Sequence, residues 1–204
     1  MKDTLPCAAI TAWFALVERG CARWRDRINS GDWRRGAVRP STREAAWGKG
    51  PCLLGWEKLD CVLALGADHA IDRHQADWVE PLYKLTDDRD ADHILETVGG
   101  VFLGQSIQAA AVGGRVYQIG ALDGFGISSP AMPLMIMDVT IQGIGTGHPR
   151  ALEDMVRAVA RIGIMPVIDS RFPLADLPDA LDRLGADPFG KILIHTCDTT
   201  SPRT

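Results

Sequence analysis

The chain has 204 residues, 46 % of them hydrophobic and 24 % charged, with a net charge of −4 and a mean hydropathy of −0.01. That supplies one substantial core, or a domain with a fragment of another. No apolar run nears the ~20 residues that span a bilayer, the start Met-Lys-Asp-Thr-Leu-Pro carries no apolar leader, and the negative balance argues against wholesale nucleic-acid binding.

In chain order, residues 1–20 are an apolar segment and residues 21–51 break the pattern. Cys21–Pro51 holds seven of the seventeen arginines and three of the six tryptophans, Trp24, Trp33 and Trp47. It is net +5 while the remainder is −9. Neither a two-residue nor a 3.6-residue apolar period survives there, which predicts an exposed, poorly ordered basic loop.

From Cys52 the chain alternates β-rich runs with amphipathic stretches. Strands are predicted at Cys52–Gly55, Asp92–Val98, Arg115–Gly120, Val139–Gly143 and Lys191–His195. Helices are predicted at Glu57–Leu65, Trp78–Leu85, Leu103–Ala111, Arg150–Ile162 and Leu174–Leu184. Such alternation builds a parallel sheet covered on both faces, and such sheets bind ligands where loops leave the strands' carboxyl ends. Glycines crowd at those ends: Gly99, Gly100, Gly120, Gly124, Gly126, Gly143, Gly145 and Gly147. Residues 52–196 are thus one α/β unit, followed by a tail at 197–204 that is expected to be disordered. Cys7, Cys21, Cys52, Cys61 and Cys197 form no C-x-x-C pair, which suits free thiols in the cytoplasm.

Several segments together carry a resemblance. They are Leu5-Pro6-Cys7-Ala8-Ala9-Ile10-Thr11-Ala12-Trp13, Leu65-Gly66-Ala67-Asp68-His69-Ala70-Ile71-Asp72, Asp92–Gly100, Gly114–Gly120, Ile141-Gln142-Gly143 and Gly190-Lys191-Ile192. In order and spacing the chain resembles the medium-chain (zinc-type) alcohol dehydrogenase and quinone oxidoreductase superfamily, over its C-terminal cofactor-binding domain. The resemblance implies an α/β fold, a Rossmann-type doubly wound parallel sheet, with residues 1–20 as the interdomain helix. It also implies hydride transfer between NAD(P) and an alcohol or carbonyl, or zinc-independent quinone or enoyl reduction, or a non-catalytic dimerising remnant.

In that family the first strand and its glycine turn fall where the basic stretch lies. Reading the gene one nucleotide forward turns each of Trp24, Trp33 and Trp47 into glycine, because the single tryptophan codon leaves two guanines to open the new one. Asn29–Glu44 can then read I-Q-G-T-G-G-V-A-L-F-A-L-Q-L-A-K, Arg23–Arg27 A-G-E-T-V, and Trp47–Gly50 G-A-R-V. This predicts a double frameshift across about Cys21–Pro51, with the first strand–turn–helix unit disrupted.

The same resemblance assigns the candidate residues. Val98, Gly99, Ile119, Gly120 and Leu122 look like strand-end positions around the nicotinamide and its ribose, and Lys191 like a basic residue near the cofactor. Cys7 matches the position of a catalytic-zinc ligand, with zinc implied only in the company of an N-terminal catalytic domain. Strand two lacks the terminal acid that reads the NAD ribose, which leaves NAD against NADP open with a lean to NADP. Pattern alone nominates Gly143-Ile144-Gly145-Thr146-Gly147, with Asp169 beyond, as a dinucleotide fingerprint. The resemblance instead makes Val139–Gly143 a strand that pairs across a homodimer. No catalytic residue is assigned, the partners are a small-molecule substrate and a second copy, and neither nucleic acid nor membrane is expected.

Overall fold

The run Ala91–Glu96 is buried along almost its whole length, as a strand covered on both faces must be. The computed structural model describes residues 6–18, 27–30, 51–54, 58–72, 74, 77–162 and 165–196. Six strands form one sheet: β1 (Arg27–Ser30), β2 (Pro51–Leu54), β3 (His69–Asp72), β4 (Ala91–Glu96), β5 (Ala110–Gln118) and β6 (Thr140–Gly143). Their spatial order is β3-β2-β1-β4-β5-β6 with every pairing parallel. That order reverses direction at β1, which opens a crevice between the carboxyl ends of β1 and β4.

The helices are α1 (Ala8–Trp13, continued by one π-helical stretch Phe14–Glu18), α2 (Leu59–Ala64), α3 (Val79–Leu85), α4 (Phe102–Gln108), α5 (Ala131–Ile136), α6 (Pro149–Ile162) and α7 (Leu177–Gly185). Side chains alternate along a strand, and the packing follows that alternation. Ile94 and Val116 join Ile71, Trp78, Leu82, Leu103 and Ile107 on one face. Leu95 and Tyr117 join Ala15, Leu16 and Ile144 on the other. Trp78 is fully buried there because its indole N–H donates to Gln105 Oε1 at 2.9 Å. On α6 the residues Ala151, Met155 and Val159, one turn apart, pack with Ala9 and Ile10 of α1. Among the described residues no helix is long and apolar enough to cross a membrane.

Three expectations change. The basic stretch was assigned no element, yet Arg27–Ser30 supplies the central strand, paired with β2 on one side and β4 on the other. Pairing on both edges overrides a weak local pattern. The helix expected to reach Ala111 stops at Gln108, because Ala110 already pairs with Ala91 as the start of β5. Finally, Lys191–His195 is a strand (β8) outside the main sheet. It pairs in parallel with β7 (Ile168–Pro173) in a separate two-stranded sheet. Local pattern marks Lys191–His195 as a strand but carries no information on which strand it joins, and β7 is not among the predicted strands. The tail 197–204 and the turn expected after β1 lie outside the described residues.

Candidate functional site

Buried Glu96, 0 % exposed, helps to tie the carboxyl ends of β4 and β5. Its Oε1 accepts the N–H groups of Val98 (2.7 Å) and Gly99 (3.0 Å), and its Oε2 accepts the Ser106 hydroxyl at 2.5 Å. Its backbone carbonyl accepts from Ile119 (2.7 Å) and Gly120 (3.2 Å) across the strand gap. One buried side chain and one carbonyl thus fix the exit angles of two loops. Burial without these donors would cost several kcal/mol.

The loops then run close together. Gly99 and Gly100 have φ of +74° and +55°, a region that favours glycine. A Cβ on Gly120 would lie 2.1 Å from the Thr97 carbonyl oxygen, so no larger residue fits. The Asp123 N–H closes the loop onto the Val98 carbonyl at 2.8 Å.

Between the loops is an open cavity of about 490 Å³. Its glycine floor, Gly99, Gly100 and Gly120, faces walls that include Ile119, Leu122 and Phe125. A Cβ at Gly124 or Gly126, which also line it, would meet nothing within 4 Å. Gln118 reaches the same space: its amide donates to the Gly120 carbonyl, while its buried Oε1 has no partner among the described residues. An open, largely apolar cavity at the carboxyl ends of parallel strands suits a ring-bearing ligand.

Of the residues singled out from sequence, Gly99, Ile119, Gly120 and Leu122 line this cavity. Val98 is buried beneath it and hydrogen-bonded at both its N–H and its carbonyl. Lys191 opens β8 in the small sheet and is not among the lining residues. Sequence reasoning passed over Glu96 and Gln118, because a strand-end Glu or Gln reads as a solvated rim residue until its burial is known.

Cys7 stands elsewhere, exposed at the head of α1. With φ +70° and ψ −75° it is the centre of a strained γ-turn, closed by the Ala8 N–H on the Pro6 carbonyl at 3.1 Å. No group of three or more His, Cys, Asp or Glu among the described residues could hold a metal ion. Cys7 by itself makes no metal site among the described residues.

The Gly143–Gly147 segment does not form a phosphate cradle either. Gly147 is pressed against α1, where a Cβ would lie 2.6 Å from Ile10 Cγ1. The first turn of α6 is capped by His148 Nδ1, which accepts the Ala151 N–H at 3.1 Å. Asp169 is engaged by Arg183 through two bonds of 2.6 and 2.8 Å and by the Phe189 N–H at 3.2 Å.

The strand order and the crevice at the strand ends define a dinucleotide-binding α/β unit of the Rossmann type. The family model for zinc-binding dehydrogenases matches residues 55–161, just over half of the chain. The protein belongs to that family. A crystal structure assigned as an alcohol dehydrogenase from Sinorhizobium meliloti 1021 superposes with a TM-score of 0.84 at 48 % identity, covering 94 % of this chain and 57 % of that one. A zinc-type alcohol dehydrogenase-like protein of Schizosaccharomyces pombe is 29 % identical over 188 residues, which is 88 % of this chain and 54 % of the relative. A structure assigned as an NADPH:quinone reductase from Bacillus thuringiensis shares the fold, with a TM-score of 0.72 at 20 % identity, 91 % of this chain and 60 % of that one covered. The chain spans a little over half the length of these relatives.

Proposed function

We propose that this chain is the cofactor-binding half of an NAD(P)-dependent oxidoreductase that acts on alcohols, carbonyls or activated double bonds. The carrying observation is the cavity at the ends of β4 and β5, lined by Gly99, Gly100 and Gly120 and by the apolar Ile119 and Leu122. When bound, a nicotinamide would supply the hydride chemistry. The chain's own part is to hold the ring. Glu96 sets the two loops, and Gly99 and Gly120 let them close. Membership in the zinc-binding dehydrogenase family supports the reading, and the lack of an acid ending strand two favours NADP.

Weak binding is expected of the chain as written, because the sequence Ser30-Gly31-Asp32-Trp33-Arg34-Arg35 is not the glycine turn by which a dinucleotide site brings bare backbone to the pyrophosphate. Amide NMR titration with NADPH tests this. Saturation near millimolar or above is expected, with shifts centred on Gly99, Gly120 and Ile127. Unmoved resonances at those three residues overturn the reading, and micromolar binding or turnover of an aldehyde overturns the impairment.

The free thiols Cys7 and Cys61 favour the cytoplasm. The partner proposed is a second copy, docked along β6. That strand is the edge of the sheet, and α5, which leads directly into it, leaves Met132, Met135 and Ile136 exposed.

A further inference from the structure

We propose that the nucleotides encoding residues 29–44 carry a second message one base forward: a phosphate-binding turn and the helix behind it. Two strand boundaries bear on this. β1 ends at Ser30, which pairs with Glu96, the residue that organises the cavity. β2 begins at Pro51. The shifted reading breaks at the same two places. Its β-forming I-Q falls on Asn29 and Ser30, its glycine turn opens at the next residue, and its G-A-R-V ends at Gly50. A parallel pair joined by a crossover needs a turn and a helix between the strands, and the shifted text provides both. G-T-G-G-V-A matches the G-x-G-x-x-G/A turn of dinucleotide sites, and L-F-A-L-Q-L-A-K is a run of good helix formers. The printed residues put Pro40 in the middle of that helix, where it would break it.

The odd composition has the same source. Glycine, alanine and valine codons begin GG, GC and GT. Read one base early, those pairs become the second and third bases of tryptophan, arginine, serine, cysteine or glycine codons. A glycine-, alanine- and valine-rich turn and helix, read out of register, therefore emerges as a chain crowded with arginine and tryptophan, as Cys21–Pro51 is.

Bases silent in the printed protein decide the matter. The I-Q-G-T-G-G reading requires Asn29 to be AAT, Ser30 TCA, Gly31 GGG, Asp32 GAC, and the third base of Arg34 to be G. Nothing in the printed chain selects those bases. Sequencing the locus on both strands is the test, and these five codons are the expected result. A Gly31 codon other than GGG, or an Arg34 codon not ending in G, deletes a glycine of the turn and overturns the proposal.

The proposal deepens the cofactor reading, and a second arm separates the two. The whole chain made from a gene reframed across residues 21–51 should bind NADPH about a thousandfold more tightly than the chain as written. If the codons fit and the reframed chain still binds no NADPH or NADH, the cofactor reading falls and the frame proposal stands. If the codons do not fit, the frame proposal falls whatever the chain binds.

Discussion

At the scale of single residues, the site depends on close backbone approach and on one buried side chain. Gly120→Ala would place a methyl group 2.1 Å from the Thr97 carbonyl oxygen, and backbone on both sides leaves nothing to give. It should cost about 3 kcal/mol or more. Gly126→Ala, in the same loop but facing open space, should leave the melting temperature nearly unchanged. Urea denaturation of the pair checks this, and equal costs would show that the loop is looser than described. Glu96 invites a graded test. Glu96→Ala strands the N–H groups of Val98 and Gly99 and the Ser106 hydroxyl, which should cost about 2–5 kcal/mol. Glu96→Gln should stay within about 1 kcal/mol. Its amide oxygen can keep the two N–H groups, while its NH2 donates to a Ser106 hydroxyl turned to accept. A Gln variant as damaged as the Ala variant would mean that the carboxyl group itself is required.

Among the elements, the β7–α7–β8 unit shows how a small sheet is held. Arg183 of α7 binds Asp169 of β7 through two hydrogen bonds, and the Phe189 N–H leading to β8 joins the same carboxyl group. The Arg183 bonds, foremost, hold the Asp169 carboxyl below the usual carboxylate range despite its burial. A depressed folded-state value contributes stability that is complete above the unfolded value, about pH 4, and lost as pH falls below it. Asp169→Asn should therefore lower the melting temperature by about 2–4 °C at pH 7, the worth of ~1 kcal/mol in a chain of this size. The gap to the parent chain should close as the pH drops below about 4. A difference that persists at pH 2.5 would assign the effect to packing rather than to charge. These elements also show what the sequence could convey. β4 was legible from Ile94-Leu95 with Thr97-Val98 behind them, although Asp92, His93 and Glu96 interrupt the apolar run, and α6 because Ala151, Met155 and Val159 repeat at helical spacing. β1 was not, since its place comes from β2 and β4 and not from its own residues. α5 was missed because Pro133 sits inside it and none of its residues is buried. The strand-end glycines marked the cavity, whereas Glu96 and Gln118 acquire meaning only through burial.

For the whole molecule, the open question is what meets the apolar surface beside β6. Among the described residues β6 is the edge of the sheet, and Met132, Met135 and Ile136 of α5 are 64–74 % exposed. Leu134 and Met137 of the same segment pack inward against the core, so α5 is anchored and its outer face is not exposed by fraying. An apolar face continuous with a sheet edge favours a two-fold partner, because one strand edge and one methionine-rich face can each meet its own copy across a single axis. The chain should therefore sediment at twice its monomer mass at tens of micromolar. Met135→Asp would place a charge on that face at a residue that does not line the cavity. It should return the protein to monomer while leaving the NADPH-induced shifts at Gly99 and Gly120 in place. A parent chain that sediments as a monomer removes the dimer proposal. Loss of both the dimer and the NADPH shifts in the variant would mean that α5 supports the cavity itself, and that the exposed methionines serve the site rather than a partner.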